Sequence, residues 1–432
     1  MKPPATLFSA VHSPRLLLAS AALVCLCSCG TAAYRGTMRG YSRAYAQGND
    51  ELMLQNLARL ANHQPAHWMQ MGAVTASMNF ERGLTSSTSR AERSFSLGSA
   101  LGLTLKADER PTFNFVPLTG KEFADRMMAP ISPRVFFTLF EEGWPVDLLM
   151  RLLIERIDLG DSYRSHGTLT NQPGNFSTAY LEFLQVCEAA RLLQQERQLV
   201  LDISSEFSPL AEGHAVAAAP SSEDLMKARE KGLVWQKSGT GWVLGEMRER
   251  AVFRLRHGML SAAGRNNVFS KPGLGTAAAR LLVGDFFNML ESGLRLKAPD
   301  SQERSGGDGT QARLVLRSLG GVMAAAAREQ EDFERILREH GGEFLERTPE
   351  CQREPVLRLV WQDVPRAELL KASVRLTHAG REYMVTDRKM TDRQMCEAGS
   401  RNRDVFRLLM GLYHLVSADM EKLKFPQTLL IQ

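Results

Sequence analysis

Two stretches near the N-terminus alternate with a period of two, the pattern of extended backbone, where successive side chains point to opposite faces. In "WMQMGAVTASMNFE" (68–81), Trp68, Gln70, Gly72, Val74, Ala76, Met78 and Phe80 share one side. In "RSFSLGSALGLTLKADE" (93–109), Phe95, Leu97, Ser99, Leu101, Leu103 and Leu105 face one way, and Ser96, Gly98, Ala100, Gly102, Thr104 and Lys106 the other. The polar "RGLTSSTSRAER" lies between them, so the pair reads as a long antiparallel hairpin over 68–106. "RPTFNFVPL" (110–118) is expected as a third strand. The small-residue face suits close approach by another strand or sheet.

The segment before the hairpin is an address. Leu16–Cys27, "LLLASAALVCLC", follows Lys2 and Arg15. It is shorter than the roughly 20 residues of a membrane-spanning helix and matches the apolar region of a signal peptide. Leu26-Cys27-Ser28-Cys29 has lipobox order, with Leu at −3, small residues at −2 and −1, and Cys at +1. Residues 1–28 are therefore expected as a lipoprotein signal, Cys29 as the lipid attachment site, and Cys25 and Cys27 as discarded filler rather than metal ligands. Gly30, where Asp would favour retention in the inner membrane, directs the expectation to a lipid-anchored outer-membrane location. Multiple acyl chains give stable anchoring.

Residues 29–432 are more than one ordinary core accommodates, so several domains are expected. The formal charge of +5 falls by two with Lys2 and Arg15, with both signs interspersed. Nothing in it calls for nucleic acid. Hydrophobic residues make up 44%, a usual share for a globular body. No later segment reaches 18 consecutive apolar residues.

The fold class read from the pattern is α+β: an N-terminal β-hairpin and helical region, a smaller helix-hairpin segment, and a C-terminal α+β domain. Residues 29–48 read as a membrane-proximal tether and 49–207 as the N-terminal α+β domain, with hairpin 68–106 and helices over 119–205. Within it, Thr119 and Glu122 have capping-box spacing, and Ser132, Pro133 and Gly143 bracket a short helix. The Ala/Pro/Ser-rich 208–224 reads as a linker and 225–297 as a helix, a hairpin turning at Ser238–Gly241, and further helix. Residues 298–311 read as a mobile loop and 312–432 as the C-terminal domain. That domain holds a helix from about Ser318, strands at "PVLRLVWQD" and "ASVRLTHAGREYMVTD", the latter a pair turning at His378–Gly380, a last helix at "RNRDVFRLLMGLYHLVSAD" and a closing strand "PQTLLIQ".

Sites are sparse. Cys187 falls at helical spacing from Leu184 and Leu193 and reads as buried, while Cys351 and Cys396 are candidates for a disulfide in an oxidising compartment. The chain has no G-x-S-x-G, H-E-x-x-H, Walker A or EF-hand motif. His63 and His67 flank Pro65, which breaks the helix that would align them on a metal. "KPGLGTAAARLL" (271–282) imitates a glycine-rich anion loop without the strand and acidic partner of a nucleotide site. Tyr383 and Asp387 sit at a strand end, where capping is the expected use. Asp147, Arg151 and Glu155, at i, i+4 and i+8, read as an exposed salt-bridged stripe. No catalytic residue, cofactor or metal is assigned.

Taken together, the lipobox, "NDELMLQNLARL", the alternating hairpin running into "ERPTFNFVPLTGKEFADRMMAPISP", "GWPVDLLMRLLIERI", "RLVLRSLGGVM" and "GREYMVTDR" with "RDVFRLLMGLYHLV" resemble a family of bacterial outer-membrane lipoproteins to which no activity is attached. The resemblance implies architecture and location and carries no mechanism; residues 236–300 depart from it. The expected function is a lipid-anchored, non-enzymatic scaffold or assembly component, contacting the membrane through its lipid and envelope proteins or its own copies through its surface. Two alternatives stand beside it. One is a periplasmic hydrolase or peptidoglycan-active enzyme using acids such as Glu141, Glu142, Asp147 or Asp387. The other is a subunit of an oligomeric outer-membrane β-barrel assembly.

Overall fold

The computed structural model describes residues 14–88, 99–159, 167–174, 176–210, 216–239, 241–297, 312–389 and 401–418; of residues 14–37 and of the hairpin strands, the backbone alone. The fold is α+β, as the pattern implies. The chain divides into two compact units: one holds residues up to Met53 together with Met69–Val116, the other Leu54–Trp68 together with Pro117–Gln432.

The first unit contains most of helix α1 (Pro14–Ala61) and strands β1 (Met69–Thr88) and β2 (Ser99–Pro117), which form a two-stranded sheet of their own. Two expectations are corrected here. Residues 29–48, expected as a tether, are helical and continuous with the rest of α1: the stretch has no proline, and its four Ala and three Arg favour helix against the cost of its four Gly. The second and third expected strands are one continuous β2, with Pro111 inside it; in a ribbon of two, each strand keeps a free edge where a missing N–H disrupts no ladder.

The second unit is built on a seven-stranded sheet of order β4-β3-β9-β8-β7-β5, with β6 also paired to β7. Its strands are β3 (Ile154–Asp158), β4 (Thr168–Thr170), β5 (Leu199–Pro209), β6 (Leu233–Ser238), β7 (Gly241–Leu255), β8 (Leu294–Lys297) and β9 (Arg313–Leu316). The pairs are antiparallel except β8 with β9. This sheet crosses the expected divisions at 208–224 and 298–311. β5 pairs with β7 along eleven positions, from Leu199 opposite Leu255 to Pro209 opposite Gly245, so the segment expected as a separate 225–297 module completes the sheet begun by 154–209. Leu199 and Leu201 of β5 lie opposite Leu255 and Phe253 of β7, and all four are buried on the same face. The expected mobile loop, 298–311, lies outside the described residues, as does the closing strand "PQTLLIQ".

Helix signals in the sequence act locally where expected. Ser132 Oγ accepts from Val135 N–H and Pro133 occupies the first position of α3 (Pro133–Glu141). Ser177 caps α5 (Thr178–Gln195) and Ser318 caps α9 (Leu319–Arg347). The capping box at Thr119 does not form: α2 (Lys121–Met128) starts from Gly120, with no side-chain cap. Helix α5 is buried nearly all round, with Tyr180, Phe183, Leu184 and Leu193 inaccessible, which makes it the centre of the core. Beside it run α4 (Val146–Leu153) and α8 (Ala277–Ser292, capped by Thr276); α9 packs against α4, meets α5 through Phe333 edge-on to Tyr180, and kinks at His340 next to Gly341 and Gly342. Phe253 of β7 meets Phe136 and Phe140 of α3 edge-on, each at 5.7 Å, tying helix to sheet. Among the described residues the remaining helices are α6 (Ser222–Glu230), α7 (Ala262–Phe269) and α10 (Asn402–Ala418).

A small hairpin of β10 (Val374–His378) and β11 (Arg381–Val385) turns where expected, with Ala379 and Gly380 both at positive φ. The strand expected at "PVLRLVWQD" is absent: residues 355–360 are irregular. Side chains hold that backbone instead. Gln330 Oε1 accepts from Leu359 and Val360 N–H while its Nε2 donates to Val360 O, and Asn402 Oδ1 accepts from Arg358 N–H. An apolar run therefore stays buried without a ladder.

Candidate functional site

The hairpin is the most exceptional element. Twenty residues at roughly 3.3 Å each make a strand of about 66 Å, well beyond the 9–11 residues with which a β-strand crosses a bilayer. Its partner has 19 residues, and among the described residues the sheet contains these two strands alone. The residues that flank the hairpin meet at one point of the second unit, where Leu118 N–H donates to Trp68 O at 2.9 Å. Trp68 stacks on Tyr413 of α10 with ring centroids 5.0 Å apart, and Asn56 clamps His67 through both its N–H and its C=O. Entry and exit of the excursion are thus firmly held. Among the described residues, no helix is long and apolar enough to cross a membrane.

The Asp147–Arg151–Glu155 stripe is not exposed, which corrects the expectation. Helix α4 ends at Leu153, so Glu155 lies on β3 and pairs with Arg156. Arg151 is buried and reaches across to α9: its Nη2 is 2.7 Å from Glu329 Oε1 and 2.7 Å from Glu354 O. Burial works against the Arg151 charge, but the Glu329 carboxylate outweighs it, so the guanidinium holds its proton more firmly than usual. Glu329 Oε2 also accepts from Val356 N–H at 2.8 Å. Gln352 donates to Asp147 Oδ2 at 3.2 Å and to Glu188 Oε2 at 3.0 Å, and Glu188 pairs with Arg191. Below Arg151, the Arg317 guanidinium donates to the carbonyls of Arg151 (2.9 Å) and Asn171, with its proton affinity lowered by burial. Burial raises the Asp147 carboxyl, against the Gln352 hydrogen bond and the nearby Arg191. Its Oδ1 is buried without a hydrogen-bond partner. The network joins α4, α5, α9 and the 350–356 turn, and its chemistry is that of a structural lock.

The other candidates separate. Cys29 falls in the part of α1 described by backbone only. Cys351 is buried and disulfide-bonded; Cys396, its expected partner, lies outside the described residues. Cys187 is a free, buried thiol whose pKa burial pushes well up. His63 takes positive φ just past the end of α1. Tyr383 is buried, its hydroxyl accepting from Asn62 Nδ2 at 2.7 Å. Asp387 accepts from Arg403 N–H at 3.0 Å and so serves the first turn of α10. In the glycine-rich 271–276 turn, Gly273 (φ +80°) backs onto Pro349, and Gln185 donates to its carbonyl. That loop packs against the chain itself.

Glu142 belongs to a groove the sequence did not reveal. It has a volume of about 470 Å³, within the range of small-molecule sites, and is lined by Glu142, Trp144, Pro145 and Leu148 on one wall and Arg401, Asp404 and Arg407 on the other. Neither Asp147 nor Asp387 lines it. Gly143, at φ +87°, turns the chain out of α3. The Gln194 amide then fixes the start of α4, accepting from Val146 N–H (2.8 Å) and donating to Trp144 O (2.9 Å). Trp144 Nε1 donates to Glu142 Oε2 at 3.3 Å, and Asp404 pairs with Arg407. The one local signal for this wall was Gly143 as a helix stop; the opposing wall arrives from the far end of the chain through the packing of α10. Compared with known proteins, the chain matches no family model, no curated protein and no solved structure.

Proposed function

We propose that this is a lipid-anchored envelope protein with a non-enzymatic, assembling role, in which the long hairpin is completed by strands from neighbouring copies. One observation carries the reading: a two-stranded ribbon of 20 and 19 residues with, among the described residues, no further strand in its sheet. A lone hairpin is marginal in water, and both its outer edges present rows of backbone donors and acceptors. Adding strands edge to edge satisfies them, and closing the ring removes the edges altogether. The Cys29 lipid would concentrate copies at the membrane and orient them, favouring association without new contacts. The hydrolase alternative rests on candidate acids that could act as a pair. Here Glu142, Asp147 and Asp387 are engaged by Trp144, Gln352 and Arg403 respectively.

The test is the native mass of the lipidated protein extracted in mild detergent, beside full-length Thr75→Pro/Thr104→Pro, which interrupts both strands. A discrete large species in the first and a monomer in the second is the expected result. A monomer in both would remove the assembly reading. Conductance of the large species in planar bilayers then separates a closed barrel from a soluble ring.

A further inference from the structure

The groove between the 142–148 turn and the start of α10 has the composition of a ligand site. Of its charged lining, Glu142 is engaged by Trp144 and Asp404 by Arg407. Arg401, exposed at the groove's edge, forms no ion pair among the described residues. The pocket therefore offers an available cation, a half-buried indole, and paired polar groups able to exchange hydrogen bonds with hydroxyls. From this we infer that it binds an acidic sugar, with the carboxylate on Arg401, the ring's C–H face against Trp144, and hydroxyls shared among Glu142, Asp404 and Arg407. A guanidinium recognises a carboxylate through two parallel N–H bonds, and an amphipathic indole offers an apolar face beside a polar edge. The wall is preorganised by Gly143 and by the Gln194 clamp on both sides of Pro145, so little ordering cost attends binding. A bare carboxylate would need Arg401 alone; the volume and the polar remainder of the lining favour a ring bearing several hydroxyls.

The detergent-extracted protein is titrated, by calorimetry and by ligand-observed NMR, with N-acetylmuramic acid, glucuronic acid, neutral N-acetylglucosamine, acetate and a short peptide ending in a free carboxylate. The two acidic sugars are expected to bind, with the neutral sugar about tenfold weaker or worse. Arg401→Gln should abolish that preference, and Trp144→Ala should remove binding of both kinds. Arg401→Gln should keep the wild-type melting temperature, since Arg401 is exposed, and circular dichroism checks that Trp144→Ala, which loses a half-buried indole, is still folded in the assay. If the disaccharide carrying muramic acid binds better than the free acid, the source is a glycan chain; if not, a free sugar. Equal binding of acidic and neutral sugars, an Arg401→Gln protein that still discriminates, or binding of the peptide and acetate but of no sugar would each overturn the inference, as would no binding at millimolar ligand.

Discussion

Removing Glu329 should cost this protein much of its stability. The Arg151 and Glu329 side chains are 3% and 10% exposed, with 2.7 Å between Nη2 and Oε1. Glu329→Ala leaves a buried guanidinium with neutral partners alone: Gln352 Oε1, Glu354 O and the Phe333 ring. Stranding one member of a buried pair costs about 3–5 kcal/mol. The same change orphans Val356 N–H, a loss of about 1–3 kcal/mol for a buried donor. Against a total stability of roughly 5–15 kcal/mol, that sum leaves a barely folded chain. Arg151→Met should cost a similar amount by stranding the carboxylate. The double variant Arg151→Met/Glu329→Met should cost less than the two singles together, with a coupling of about 3 kcal/mol, because no unpaired charge remains. Urea unfolding of the Cys29→Ala form, followed by circular dichroism and tryptophan fluorescence, measures all four corners. A Glu329→Ala penalty under about 1 kcal/mol, or singles that simply add, would refute the buried-pair argument.

Other expectations test separate parts of the structure. Burial raises the Asp147 carboxyl, so the native state keeps that proton to higher pH than the unfolded chain, whose value is near 3.8. Its contribution is complete below the unfolded value and declines as pH rises to the native one; Asp147→Asn should match wild type in acid and exceed it at pH 7 in urea midpoint. An Asn variant no more stable at pH 7 would contradict this. Cys187, buried and with a raised thiol pKa, should react with thiol reagents only as the chain unfolds, its labelling rate climbing with urea; rapid labelling of the native protein would contradict its placement. Gly273→Ala should destabilise by about 1–3 kcal/mol, since φ is +80° there and a Cβ would sit 2.8 Å from Pro349 N; an unchanged melting temperature would show that the turn relaxes.

The chain's alternation and caps were legible because they act over a few residues. Period two in 69–81 and 99–109 identified extended backbone, Ser132-Pro133 and Ser318 marked helix starts, and His378–Gly380 gave a turn. Strand number and domain count were not legible, because they depend on which edges meet. β5 and β7 are separated in the chain by a segment that reads as a linker and by α6 and β6, yet they share eleven paired positions. A helical carboxylate–guanidinium stripe looks alike whether it faces water or a core. Only the arrival of Glu329, 178 residues later, decided that Arg151 is inside. The same holds for the groove: Gly143 and Trp144 could be read as a helix end, but Arg401 and Asp404 reach the opposite wall through the packing of α10. Local sequence thus determined what each segment is. Tertiary structure decided what each segment faces, because burial and pairing are properties of contacts between residues far apart in the chain.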